Sequence, residues 1–511
     1  MRCVLALGFI AALLHAQPVR VDQNRQTLQL ASVVILTQRN SAALTEETKA
    51  AVDKLLAEGR GHIAAGRQGE ARRILAQAGA LMAGTKWDEN ESYASSLVLR
   101  TNTSVLDPSR PLIVTLTQVY PASIPAPQGL RLHASLHEIQ GQGRIARPGK
   151  VVRDFGIFDG VAKDLIEEPY TFDLDLAGLP DGNYLLVAGP MDFYTPVRDL
   201  GIRVALVSDF DRNRLAVEQR LRKIQGHESA KATARYPFDL ARQVNAGRRE
   251  FFPLDYQKEI ARSLEIVKNL EAGKDIVEKA KGEQARHYYF AAADEVMPYR
   301  LYVPTRWDGR TKLPLILTLH GLGGTEDGPL LRDERLAVRL AEQHGFVLAS
   351  PLGYRTNGSY GNHTGPTPPD PARARLLDLS EQDAMNVVEL VAKEYGTDPA
   401  RTFLMGHSMG GGGTWYLGQK YAKKWRALGP IAAPAVLPDK YPWDRMKDIP
   451  MIVAHGDKDP TVPVIASRTM VEKARAAGLA PEYLEIAGAN HNDIVPKSLP
   501  KIYEFFAKLA Q

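Results

Sequence analysis

Cysteine is almost absent from this chain: Cys3 is the only one in 511 residues, which excludes a disulfide framework, a thiolate metal cluster and thiol chemistry from everything after the first few positions. Long apolar runs are scarce too. The one at 4–14 follows Arg2 and ends in Leu14-His15-Ala16 before Gln17-Pro18, the layout of a secretory signal peptide over residues 1–16. It is short for a membrane span and no later run is longer, so no spanning segment is expected. An excess of one charge is also missing: 64 Lys and Arg against 59 Asp and Glu leave +5, which gives no basis for a nucleic-acid partner. No unit recurs at a fixed period, which excludes a repeat array. What remains is a globular protein too long for one core, exported without disulfides, and that combination points to a secreted or periplasmic bacterial location.

The hydrophobic pattern changes period along the chain. The run 28–37 reads as a strand. From 45 to 82, Val52, Leu55 and Leu56, then Ile74, Leu75, Ala78, Leu81 and Met82, recur at helical spacing, which predicts a helical hairpin within an N-terminal region at 17–94. Over 95–208 the period is two. Leu130, Leu132, Ala134 and Leu136 alternate with polar residues, as do Tyr170, Phe172 and Leu174. Turns bearing Pro and Gly separate these runs, so a β-sandwich is expected, loosely like an immunoglobulin or fibronectin module. His133 and His137 share its polar face with no third ligand at a useful distance, so they read as exposed strand residues. Helical spacing returns over 209–285, in Leu215, Leu221 and Ile224 and again in Ile260, Leu264 and Val267, as a helical connector.

From 286 to 511, strand-like runs at 299–303, 315–319, 346–350, 402–405, 427–431, 451–454 and 482–486 alternate with helical ones at 331–343, 381–394, 465–477 and 497–509. This is the pattern of a doubly wound, mostly parallel sheet, whose ligands sit at the carboxyl ends of its strands. The sharpest motif, Gly406-His407-Ser408-Met409-Gly410, falls at one such end, between an apolar run and a helix-compatible stretch. A serine hydroxyl is a weak nucleophile unless it is exposed on a tight turn beside a base, and that corner needs flanking positions nearly free of side chains. Gly406 and Gly410 meet the need, so Ser408 is the candidate nucleophile. The Met409 N–H, next in the chain, would face a developing oxyanion.

Three further strand ends carry complementary chemistry. His320-Gly321-Leu322-Gly323-Gly324 offers a second oxyanion donor, the Leu322 amide. His455-Gly456-Asp457-Lys458-Asp459 offers a carboxylate to orient a histidine, with Asp459 preferred and Asp457 in reserve. That loop lacks the other ligands of a calcium site, and no metal is expected. Gly488-Ala489-Asn490-His491 offers the base, His491, so the chain order is Ser, Asp, His, as in one hydrolase fold. Aromatics on nearby loops are candidate substrate walls: Tyr354 and Tyr360, with His363, between 353 and 371, and Trp415, Tyr441 and Trp443. Asp383 reads as a cap or support at the start of a helix. The segment from 431 to 451 is too short for a large cap, so the site is expected to be fairly open.

A resemblance rests on Pro298-Tyr299-Arg300-Leu301-Tyr302-Val303-Pro304, His320-Gly321, Tyr395-Gly396-Thr397-Asp398-Pro399 with Arg401, the elbow Gly406 to Gly411, His455-Gly456 with Asp459, and His491. On these residues 287–511 resemble the α/β-hydrolase superfamily, in the branch shared by polyhydroxybutyrate-depolymerase-like, feruloyl-esterase-like and prolyl-oligopeptidase-type enzymes. The resemblance implies a cofactor-free serine hydrolase that cleaves carboxylic esters, small or polymer-linked, through an acyl-enzyme. Peptide cleavage is an alternative, although the propeller with which oligopeptidases screen peptides has no counterpart upstream. The third reading is a non-catalytic surface-binding protein, with the sandwich touching polysaccharide or cell envelope.

Overall fold

The computed structural model describes residues 23–41, 44–122, 130–140, 146–162, 164–191, 200–363 and 369–511, so the expected signal peptide and part of the 353–371 loop lie outside the described residues. Three helices come first, α1 (Gln23–Ser41), α2 (Glu46–Ala64) and α3 (Gln68–Met82), the last two forming the expected hairpin. Thr45 caps α2 by accepting from the Thr48 N–H at 3.1 Å. The run 28–37 is helix, not strand. Its β-branched residues favour extended backbone, but Leu28, Ser32 and Ile35 fall on one helical face and are buried, with Leu28 and Ile35 packed against Val52, Leu56 and Leu75. Each such aliphatic side chain gains about 1.5–3 kcal/mol on burial, whereas β-branching costs a helix under about 0.7 kcal/mol per residue.

Helix α4 (Glu89–Ser96) leads into eight strands: β1 (Leu97–Thr101), β2 (Val105–Leu106), β3 (Leu112–Gln118), β4 (Leu130–Gln140), β5 (Arg147–Val161), β6 (Tyr170–Leu174), β7 (Gly182–Pro190) and β8 (Leu200–Leu206). They form two sheets, ordered β1-β3-β6 and β2-β8-β7-β4-β5. The period of two explains the sandwich. Leu112, Val114 and Leu116 of β3 share one core with Leu132, Ala134 and Leu136 of β4, while Ile113, Thr115, Arg131 and His133 between them are exposed or half-buried. His133 Nε2 lies 2.8 Å from Asp154 and His137 Nε2 lies 2.8 Å from the Ser135 hydroxyl, so each ring has its own local partner.

Helices α5 (Phe210–Leu221), α6 (Glu228–Asn245) and α7 (Tyr256–Glu271) then fill the space between this sandwich and the last sheet. Their core takes in Val105 and Ala205 on one side and Val296 on the other. Arg286, 1% exposed, ties the last sheet to α6 and to a later helix through Ser229 (2.8 Å) and Glu394 (2.5 Å).

The C-terminal elements are β9 (Gly282–Phe290), β10 (Glu295–Val303), β11 (Leu315–Leu319), α8 (Gly328–His344), β12 (Val347–Pro351), α9 (Pro371–Tyr395), β13 (Thr402–His407), α10 (Met409–Lys420), β14 (Ala427–Ile431), β15 (Ile452–Gly456), α11 (Ile465–Ala476), β16 (Glu482–Ile486) and α12 (Ile494–Leu509). Their sheet is ordered β16-β15-β14-β13-β11-β12-β10-β9. Pairing is parallel from β12 through β16 and antiparallel at β10 with both neighbours. The fully buried runs of β11, β12 and β14, and of β13 as far as Gly406, are those of strands covered on both faces by helices. Strand β9 had no place among the expected strands, and it begins inside the stretch read as connector. Helix α9 starts ten residues earlier than expected, at Pro371 with Asp370 as its cap, so Asp383 is mid-helix rather than a cap.

Candidate active site

The site starts from a backbone corner. β13 ends at His407 and α10 begins at Met409, leaving Ser408 alone at φ 58°, ψ −117°. A non-glycine residue at such a positive φ is strained, and only close packing holds it there. The neighbours explain why glycine is needed: a Cβ on Gly406 would lie 2.4 Å from the Gly410 carbonyl oxygen, and one on Gly410 would lie 2.2 Å from that of Leu319. Either approach is far inside the 3.0 Å below which something must shift.

Three side chains from separate strand ends converge on this corner. Ser408 Oγ lies 2.9 Å from His491 Nε2, and His491 Nδ1 lies 2.6 Å from Asp459 Oδ2. The other Asp459 oxygen accepts the backbone N–H groups of Thr461 (2.8 Å) and Val462 (2.9 Å). Since a carboxylate only accepts, Nδ1 of His491 carries the proton and Nε2 is left to accept the serine hydroxyl. Asp459 is 8% exposed, and that burial opposes its ionisation. Hydrogen bonds from His455 and His491, the His491 charge and the Val462 amide outweigh it, holding the carboxyl well below the ordinary Asp range. Asp457 lies outside the relay: it accepts the Gly488 N–H at 2.6 Å and so braces the loop that carries His491.

Two histidines that the sequence left as incidental support this relay. His407 donates from Nε2 to the His491 carbonyl at 2.7 Å, with the two rings 4.7 Å apart. Burial, with the nearby charges of His491 and Arg332, lowers its pKa to about 3, so it is neutral and holds backbone. His455 is wholly buried, with Nε2 2.9 Å from the Val462 carbonyl and 3.3 Å from Asp459, and with Nδ1 2.7 Å from Ser467. Ser408 and His491 open onto a cavity of about 370 Å³, which Leu322 and Gly321 also line. Its lining includes the apolar Ala337, Met405, Ile431, Val495 and Leu499 and the polar Thr318, Arg332, Thr461 and Asn492. Met409 is absent from these walls, and its side chain packs at the edge of the core.

The aromatic candidates fare differently. Tyr354, Tyr360 and Trp415 are 0% exposed, and neither they nor the half-buried Trp443 line the cavity beside Ser408. Trp415, Tyr441 and Trp443 pack on one another, with centroids 4.5 to 6.1 Å apart, as a core cluster behind α10. Tyr354 is fixed by Asp383, which accepts its N–H at 2.7 Å and the Tyr288 hydroxyl at 2.6 Å, and by the Arg355 guanidinium 3.8 Å over its ring. Burial raises the Asp383 pKa to about 6. These rings therefore belong to the core around the site and not to the cavity wall. Cover comes from an unforeseen direction, because Val33 of α1 lines the cavity and the Asn40 amide donates to the Pro460 carbonyl, next to Asp459. Among the described residues, His227, Asp275 and Glu278 are close enough to share a metal ion, but His227 already pairs with Asp275 at 2.8 Å, and Asp275 also caps the Val277 and Glu278 amides.

A serine on a strained strand-to-helix corner, with an aspartate and a histidine from the loops after the last two strands of a mostly parallel eight-stranded sheet, defines an α/β-hydrolase fold. Residues 291–492 match the family model described as putative esterase. Among characterised proteins, the bifunctional acetylxylan esterase/xylanase of Neocallimastix patriciarum is 27% identical over 146 residues, which is 29% of this chain and 19% of that protein's length. Among solved structures, the ferulic acid esterase of Anaeromyces mucronatus is 20% identical with a TM-score of 0.36, covering 45% of this chain and 91% of its own. A thermostable esterase is 18% identical, again with a TM-score of 0.36, over 80% of this chain and 96% of its own. No helix among the described residues is long and apolar enough to cross a membrane.

Proposed function

We propose that this chain is an exported serine hydrolase that cleaves carboxylic esters at Ser408. The observation that carries the reading is the hydrogen-bonded relay of Ser408, His491 and Asp459, whose serine and histidine line a cavity. His491 Nε2 takes the hydroxyl proton as Ser408 Oγ attacks the ester carbonyl, and the Leu322 and Met409 amides receive the oxyanion. The same nitrogen then returns the proton to the leaving alcohol as the carbon–oxygen bond breaks. Water repeats the sequence on the acyl-enzyme and frees Ser408. Asp459 keeps His491 in the right tautomer and stabilises its cation. Each oxyanion amide is expected to be worth on the order of a hundredfold or more in turnover. Export rests on the arrangement of Arg2 and the apolar run 4–14. The test is hydrolysis of p-nitrophenyl esters, a feruloyl ester and an aminoacyl anilide by the mature protein and by Ser408→Ala. Ester turnover lost in the variant supports the reading. Anilide cleavage without ester turnover replaces it with a peptidase, and no Ser408-dependent turnover on any substrate turns attention to binding by the sandwich.

A further inference from the structure

Helix α1 has two occupied faces. Leu28, Ser32 and Ile35 turn toward α2 and α3, while Val33 lines the Ser408 cavity and Asn40 holds the Pro460 carbonyl. Val33 and Asn40 are seven positions apart, two turns of helix, so they project from one side, well away from the bundle side. Val34, between these faces, is 49% exposed. Two points of contact two turns apart lay the helix along the site, anchored at the loop that carries Asp459. The cavity it helps to line has an apolar part, Met405 of β13, Ile431 of β14, Ala337 of α8 and Val495 and Leu499 of α12, and a polar part that includes Arg332 and Asn492. The apolar part of this lining, beside an acylated serine, suits the acyl part of an ester better than a charged or hydroxyl-rich group, which would lose its water against those side chains without replacement.

We propose that Val33 is the specificity wall of this recess: the N-terminal helix sets the size of the apolar acyl group that Ser408 accepts. The proposal rests on the reading of Ser408 as the nucleophile of an esterase. It assigns a role to a segment outside the α/β-hydrolase sheet, and it makes acyl selection depend on a side chain nearly four hundred positions before the serine.

The test compares kcat/KM for p-nitrophenyl acetate, butyrate, hexanoate and octanoate in the full mature protein and in Val33→Trp, Val33→Ala and Val34→Trp. A methylene in an apolar pocket is worth roughly tenfold or more in discrimination. Val33→Trp should therefore cut the octanoate-to-acetate ratio by roughly tenfold. Val33→Ala, which adds no bulk that could unseat the helix, should raise that ratio. Val34→Trp should leave the profile of the parent protein. An unchanged ratio in both Val33 variants, or an equal loss on every ester in Val33→Trp with no shift in Val33→Ala, overturns the proposal. So does Val34→Trp shifting the profile as far as Val33→Trp. Absence of turnover on all four esters in the parent protein defeats the esterase reading itself, an outcome distinct from an esterase whose profile ignores Val33.

Discussion

Replacing Asp459 by Asn changes one atom and should disable the relay. Asp459 Oδ1 is bound by two backbone donors, Thr461 N–H at 2.8 Å and Val462 N–H at 2.9 Å, and neither can rotate away. An asparagine must therefore turn its carbonyl oxygen to those amides, because its NH₂ group would face two other donors. The NH₂ group is then left opposite His491 Nδ1, at the position now 2.6 Å away. Nδ1 must accept, which moves the imidazole proton to Nε2, where it points at Ser408 Oγ instead of receiving its proton. A misplaced tautomer of this kind costs on the order of 10⁴ in kcat in serine hydrolases built on the same logic, about 5 kcal/mol of transition-state stabilisation. KM should change little, since Asp459 lines neither the serine face nor the cavity walls. The assay is steady-state hydrolysis of p-nitrophenyl butyrate at pH 7, with circular dichroism and thermal melting to show that the fold survives. Asp457→Asn is the matched control. Its side chain braces Gly488 through one accepted hydrogen bond, which an amide oxygen can replace, so turnover should stay within about threefold of the parent, a shift of under about 0.7 kcal/mol. A folded Asp459→Asn that keeps turnover within about tenfold would refute this reasoning, and a large loss in Asp457→Asn would reassign the acid.

The elbow itself makes a second prediction. Gly410→Ala places a Cβ 2.2 Å from the Leu319 carbonyl oxygen, and the backbone that must move carries Ser408; a stability loss of about 1–3 kcal/mol or more should appear in urea denaturation, with turnover falling further than stability accounts for. His407→Ala removes the donor to the His491 carbonyl and should lower kcat by about tenfold or more at nearly constant KM, with His407→Gln recovering part of the loss. The pH dependence of Asp459 has a definite sign. Its folded-state pKa lies below its ordinary 3.8, so its ionisation contributes stability that is fully present above about pH 4 and is lost as pH falls through the lowered value. The stability difference between the parent and Asp459→Asn, from urea midpoints, should be level from about pH 5 to 8 and shrink below about pH 4. Arg355→Met should cost up to about 3–5 kcal/mol in the same measurement, because it takes from Glu295, 0% exposed, the guanidinium now 2.7 Å away and leaves it only the charges of Arg249 and Arg242.

The parts of this molecule that local chemistry dictates were readable in the sequence. The alternating runs of the sandwich and the fully apolar strands of the C-terminal sheet are set by which faces are buried, and burial writes itself into residue period. The relay was readable because a strand-end serine between glycines, a strand-end aspartate and a strand-end histidine each need a distinctive neighbourhood. The misses share a cause: they depend on what packs where. Helix α1 carries the β-branched series Val33-Val34-Ile35 and was expected as a strand; only its docking on α2 and α3 shows the helical face. Tyr354 and Tyr360 stand on a loop after a strand end and Trp415 on the helix that follows the serine, yet all three are 0% exposed, and at Gly413 a Cβ would lie 2.7 Å from the Tyr360 ring, so packing claims them. Val33 and His407 had no local signal, because the role of each is defined by a partner far along the chain or by a backbone carbonyl. A helical reading carried from 28 through 40 would at least have placed Val33 and Asn40 on a common face.

The central claim is that Ser408 is the one activated serine, and covalent labelling reads it without presuming a substrate. A fluorophosphonate phosphonylates an activated serine oxygen with loss of fluoride, so the protein should take up one equivalent, located on Ser408 by peptide mass spectrometry, while Ser408→Ala and Asp459→Asn should label far more slowly or not at all. Stoichiometric labelling of another residue, or undiminished labelling of Ser408→Ala, would contradict the account.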